Sequence, residues 1–276
     1  MNKQILSALK VSVLALLLSF GMSYALAWTA PLSAPPAGNV SSPINTSGTA
    51  QTKAGGLTVD RATSTKDIIV NGVTIGRGGN STIISNTSLG LGALANNSAG
   101  AYNTGIGSHA LSAVTAGAYN TAVGSETLTL NVLGTGNTAN GMFALYKNDG
   151  GNYNTGVGMY ALANDVTGQS NVATGPYAIF SQTYGNYNTA NGAQALYSNL
   201  SGGNNTAVGN RALFSNTTGA STTALGDGAD VLSGSLTNAT AIGAGAIVGA
   251  SNEIKLGNAA VTAVRTSGKY MPHNFV

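Results

Sequence analysis

The chain repeats itself every 17 residues. A tetrad of Asn, Thr, a small residue and an aliphatic residue, closed by Gly, begins at Asn86. It recurs at Asn103, Asn120, Asn154 and Asn205, at Asn137, Asn171 and Asn188 with position 4 turned polar at Asn140, Thr174 and Asn191, and in weaker form at Thr222 and Ala239. A fixed period of this length marks a chain built by stacking one small unit on the next. It points towards a structural or binding surface and away from a single catalytic pocket.

Numbering each unit from its Asn, position 2 is Thr except at Val172. Position 3 is always small, as at Ser88, Gly105 and Gly156 and in the alanine row Ala122, Ala139, Ala173, Ala190, Ala207, Ala224 and Ala241. Position 5 is Gly from Gly90 to Gly243, and position 15 is Gly from Gly100 to Gly219. Position 8 is usually Ala and position 9 Leu or Ile, as at Leu111, Leu162 and Leu213. Two glycines per unit argue against helix. The pattern predicts an all-β repeat β-solenoid of about ten 17-residue coils, each with two short strands separated by glycine turns. Strand alternation puts positions 2 and 4 on one face and 1 and 3 on the other. The aliphatics at position 4, such as Leu89, Ile106, Val123, Val157, Val208, Leu225 and Ile242, set that face inwards. The small residues of position 3 then face outwards, where something packs closely on them, so the alanine row is the candidate inter-subunit row.

Composition fits this reading. Charged residues make up 7% and glycines number 39, against about 25% charged in ordinary chains. Uncharged Asn and Thr supply the polar surface, while Leu, Val, Ile and Tyr at fixed positions argue against disorder. No basic cluster accompanies the net charge of +3, so neither nucleic acid nor an anionic membrane is implied as a partner. With no cysteine, disulfides and thiolate metal sites are excluded.

Lys3 and Lys10 lead into the apolar run Val11 to Phe20, and Ala25-Leu26-Ala27 offers a cleavage site before Trp28. Residues 1–27 read as a secretory signal peptide, which predicts a secreted or cell-surface protein with no membrane span after cleavage; a retained membrane anchor is the competing reading, for which the apolar run is short. Residues 28–56, with Pro31, Pro35, Pro36 and Pro43, form a Pro/Ser/Thr/Gly-rich linker. Residues 57–80 contain Ile68-Ile69-Val70, Asn71-Gly72 and Val73-Thr74-Ile75, which predict a tight β-hairpin capping the solenoid. The repeats fill 81–251, and 252–276 hold a final coil and a tail.

The blocks Asn120-Thr-Ala-Val-Gly124, Asn205-Thr-Ala-Val-Gly209 and Thr240-Ala-Ile-Gly243 resemble the YadA-like head repeat of trimeric autotransporter adhesins. The likeness spans about 81–257 and includes a degenerate Ile254-Lys-Leu-Gly257. It implies a left-handed parallel β-roll, a homotrimer, and an extracellular protein or glycan receptor. The chain departs from the family in its longer period, in lacking a heptad stalk, and in having nothing after its repeats to form a membrane barrel. If this is the full gene product, it is expected not to export itself.

Catalysis has little support. His109 and His273 are the only histidines, and the acids Glu126, Asp149, Asp165, Asp227, Asp230 and Glu253 form no repeated pair. Asp227-Gly228-Ala229-Asp230 resembles a calcium turn, but solenoids of that class repeat the aspartate in every coil. No metal or cofactor is expected. Phe143, Tyr160 and Tyr177 share position 7 in successive units and read either as an aromatic ladder or as a sugar-stacking stripe. Tyr102, Tyr119, Tyr153 and Tyr187 form a second row before the Asn. Repeated Thr also raises ice binding, which an inward-facing Thr disfavours. The sequence thus predicts an exported, non-enzymatic structural and adhesive module, with a secreted fibre or matrix component as the alternative.

Overall fold

In the computed structural model the described residues are 68–70, 73–78 and 85–261. The expected signal peptide, the linker, His273 and the end of the tail lie outside them. No described residue is helical, and the repeats build a parallel β-solenoid of about ten turns.

Each coil lays one short strand on the last. Strands β1 (Ile68–Val70) and β2 (Val73–Gly76) pair antiparallel with Val70 opposite Val73, the register expected of a hairpin through Asn71-Gly72. Strand β2 then pairs antiparallel with β3 (Thr87–Gly90). From β3 onwards the pairing is parallel: β4 (Thr104–Ile106), β5 (Thr121–Val123), β6 (Thr138–Asn140), β7 (Thr155–Val157), β8 (Val172–Thr174), β9 (Thr189–Asn191), β10 (Thr206–Val208) and β11 (Thr223–Leu225). The sheet continues through β13 (Thr240–Ile242) to β15 (Ile254–Leu256), making thirteen strands in all. Register follows the period, so Thr104 pairs with Thr121 and Ala207 with Ala224.

Two backward bends bracket each strand. The residue before the Asn has positive φ, as Tyr119 does at 59°, and the Gly at position 5 has φ between 111° and 143°. A β-carbon on Gly90 would run into the carbonyl of Gly107 in the next coil, so this corner requires glycine.

The expected second strand is absent from most coils. Positions 7 and 9 adopt positive φ instead, for example 58° at Tyr160 and 53° at Leu162. This geometry breaks a strand but keeps the coils bonded. Tyr160 N–H donates to the Met142 carbonyl of the preceding coil and Leu162 N–H to the Ala178 carbonyl of the following one, each at 3.0 Å. Among the described residues a second strand forms only in the last coils, at β12 (Asp230–Val231) and β14 (Ile247–Val248), which pair with each other.

The core reverses the expected alternation. Positions 1 and 3 point inwards and positions 2 and 4 outwards. Ala122, Ala139, Ala173, Ala190, Ala207, Ala224 and Ala241 are all fully buried within a single chain. They offer nothing to a neighbouring subunit. Their small size answers to the opposite wall, where the position 9 leucines are also fully buried. A β-carbon on Gly105 would already lie 3.3 Å from Leu94 Cγ and 3.1 Å from the Ala110 carbonyl. The coil is a thin slab whose centre is filled from one side by leucine, leaving room for nothing beyond alanine on the other.

Polar ladders run beside this core. Asn103 Nδ2 donates to the Gly117 carbonyl at 2.8 Å, closing its own coil, while its Oδ1 accepts from Asn120 N–H of the next at 3.0 Å. The same clip recurs up to Asn205, whose Oδ1 accepts from Thr222 N–H at 2.9 Å. A buried amide therefore does two jobs per coil, satisfying groups that would be costly to leave unpaired. Sequence reasoning missed a second ladder at position 12, made of Asn97, Asn131, Asn148, Asp165, Gln182, Asn199 and Asn216, all fully or almost fully buried. Asn148 Nδ2 bonds both Asn131 Oδ1 at 2.8 Å and the Gly151 carbonyl at 3.0 Å. The signal was there as a recurring Asn three residues before the position 15 Gly, broken by Val114.

Candidate interaction surfaces

Reversing the alternation puts the Thr and aliphatic rows on the outside of the sheet. One column runs from Thr87 through Thr121, Thr155 and Thr206 to Thr240, with Val172 in one place. The parallel column runs from Leu89 through Val123, Val157 and Leu225 to Ile242, interrupted by Asn140, Thr174 and Asn191. Leu89, Val157, Val172, Leu225 and Ile242 are between 38% and 49% exposed, apolar surface spaced along this face, between the polar interruptions, that an isolated solenoid leaves in water. None of the residues in either column from β3 to β13 is charged.

The turn wall opposite is chemically mixed. Phe143, Tyr160 and Tyr177 come together there as the sequence suggested. Their rings stack at centroid distances of 4.9 and 5.1 Å, nearly parallel. A second column, Phe180, Tyr197 and Phe214 at position 10, stacks at 5.3 and 5.2 Å. Tyr177 meets Phe180 edge-on at 5.5 Å and joins the two columns. Because the rings cover one another, Tyr160 has no free face on which a sugar could stack. The geometry suits a ladder that seals the turn wall. Tyr102 and Tyr119 of the other row also stack, at 4.9 Å, but stand out into solvent beside the exposed Tyr153 and Tyr187.

The remaining titratable groups make local contacts. His109 Nδ1 lies 3.0 Å from Glu126 Oε1 of the next coil, both at the surface of the turn wall. Asp227 accepts from Asn210 Nδ2 at 2.9 Å, and Asp230 accepts from Ser215 N–H and Val231 N–H at 3.2 and 2.8 Å. Among the described residues no three His, Cys, Asp or Glu side chains cluster as metal ligands. Asp165 is the unusual acid. Enclosure within the position 12 ladder pushes its carboxyl up to about 7, although Gly168 N–H and the Gln182 and Asn171 amides favour the ionised form.

Among the described residues no helix is long and apolar enough to cross a membrane. No protein-family model matches the chain, and none of the curated proteins or solved structures compared with it matches either.

Proposed function

We propose that this chain is an exported, non-enzymatic structural and adhesive module of the YadA-like head kind. On this reading it forms a left-handed β-roll that assembles side by side as a homotrimer and displays its turn wall to a protein or glycan receptor. The observation that carries the proposal is the outward Thr and aliphatic face. Surface aliphatics in a flat, uncharged, in-register array are costly to leave in water. A second copy fits them because it brings no charge to oppose and repeats the same spacing. The interface thus moves from the alanine row, which is enclosed, to positions 2 and 4.

Light scattering on the full chain tests this. The expected result is a trimer that Thr121→Lys together with Val157→Lys converts to folded monomers. A wild-type monomer, or a trimer indifferent to both lysines, refutes it. A fibre or matrix component is the alternative, and filaments in place of a closed oligomer favour it. The outward Thr column also supports a second reading, in which the face orders water and binds ice; thermal hysteresis in a monomeric sample distinguishes that case.

A further inference from the structure

On the turn wall the position 7 rings stack as far as Tyr177, and the position 10 rings Phe180, Tyr197 and Phe214 carry the stacking on to Phe214. There the pattern stops. The following coil places Gly228 at position 7, where neighbours carry Tyr177, Gln194 and Arg211, and turns Val231 into the core at position 10. Nothing continues either column, and the step left behind is a pocket of about 350 Å³, at the small end of the usual range for ligand pockets (about 300–1,000 Å³).

Its lining is specific. The Arg211 guanidinium lies over the Phe214 ring, 4.4 Å from the centroid, which fixes a flat, partly apolar platform carrying N–H donors at its edge. Beside it, the bond from Asn210 Nδ2 to Asp227 Oδ1 leaves Asp227 Oδ2 and Asn210 Oδ1 as acceptors. Neither Arg211 nor Asp227 has an ion-pair partner among the described residues. Asp230 is occupied in holding Ser215 N–H and Val231 N–H and forms the back wall.

We propose that this step is a binding pocket for one ring of a neutral saccharide. The proposal rests on the adhesive reading and gives it a ligand class. With Tyr197 stacked on one side of Phe214 and Arg211 over the ring, a sugar offers its C–H face to the outer side of the guanidinium, which Phe214 backs. Its neighbouring hydroxyls each need an acceptor and a donor, which Asp227, Asn210 and Arg211 provide together. An anionic ligand would meet Asp227 and Asp230, while a cation would meet Arg211. A neutral polyhydroxyl ring is satisfied by both signs at once.

The test begins with the full chain on immobilised neutral hexoses and N-acetylhexosamines. Any sugar retained is then titrated free in solution, so that oligomer avidity does not enter. Asp227→Asn and Arg211→Gln should each weaken binding about tenfold or more, a loss on the order of one charge-assisted hydrogen bond. Gly228→Tyr is the sharper variant. Gly228 has φ of 61° against 56° at Tyr177, and a β-carbon there meets nothing within 4 Å. The new ring should fold into place over the step and abolish binding with the circular dichroism unchanged. Binding to no neutral sugar, or binding indifferent to Gly228→Tyr, overturns the proposal. Light scattering on the same samples separates the two readings. A trimer that binds no sugar sinks the pocket alone, whereas a monomer that binds sugar sinks the self-association alone and supports the pocket.

Discussion

Replacing Asp165 by asparagine should stabilise the solenoid, and by an amount set by pH. Six of the seven polar side chains at position 12 are amides, and the acid takes its place among them with an oxygen where Asn148 and Asn199 have Nδ2. Those amides donate to the glycine carbonyl three residues on, at 3.0 Å in both cases. An ionised Asp165 has no proton to donate, and burial raises its pKa from 3.8 to about 7. Below about pH 3.8 folded and unfolded chains both hold the proton, and no stability is lost. Between 3.8 and about 7 the unfolded chain releases it while the folded chain keeps it, so stability falls by roughly 1.4 kcal/mol per pH unit. Above 7 the loss is complete, on the order of 4 kcal/mol. Asp165→Asn removes this loss and restores the repeated hydrogen bond. Urea unfolding followed by far-UV circular dichroism at pH 4, 6 and 8 measures it. The variant should match the wild type at pH 4 to within about 1 kcal/mol and exceed it by several at pH 8. Equal stability at pH 8, or a difference that does not change with pH, would refute the reasoning.

Three further outcomes test the fold. Leu162→Ala empties the centre of one coil where the side chain is fully buried, and should cost about 2–5 kcal/mol in the same urea assay. Ala190→Val should cost about 1–3 kcal/mol by overpacking a thin core, whereas Thr121→Val, on the outer face that carries aliphatic neighbours, should cost less than roughly 0.5 kcal/mol; the opposite ranking would mean that the strands face the other way. Tyr160→Ala removes both stacked contacts, at 4.9 and 5.1 Å, and should cost about 1–3 kcal/mol while leaving saccharide binding at the Arg211 step unchanged. Loss of that binding with stability intact would restore the stripe as the binding surface.

The period and the parallel register were legible because each rests on a pattern that sequence displays directly. Identical residues 17 apart pair strand on strand, as Thr206 does with Thr223. Which way the strand faces was not legible. Hydrophobicity alone favours aliphatic position 4 as the inside, and Val172 in the Thr column reads as an inward replacement. The deciding fact lies across the coil, where Leu94 and its successors fill the slab and limit position 3 to a methyl group. Nor does sequence reveal positive φ at leucine. Isolated leucines avoid that region, but here each Leu N–H is taken up by the next coil and each side chain by the core. The step at Gly228 was visible as Asp227-Gly228-Ala229-Asp230, yet its interest comes from Phe214 and Arg211 one coil below, a neighbourhood that stacking creates.

The two walls of the coil divide the work between them. On the strand wall a side chain must match those above and below it at the spacing of a parallel ladder, and it carries the same few uncharged types from β3 to β13. On the turn wall, position 7 holds His109, Glu126, Phe143, Tyr160, Tyr177, Gln194, Arg211 and Gly228 in succession. That variety is tolerated because the backbone there is fixed by inter-coil hydrogen bonds such as Tyr160 N–H to Met142 O and Gln194 N–H to Pro176 O, leaving the side chain free to change. A regular wall suits contact with copies of itself, since both surfaces repeat alike. A variable wall on a rigid frame suits recognition of something else. The same backbone that makes position 7 indifferent to its side chain lets a missing one, at Gly228, open a pocket without loosening the coil around it.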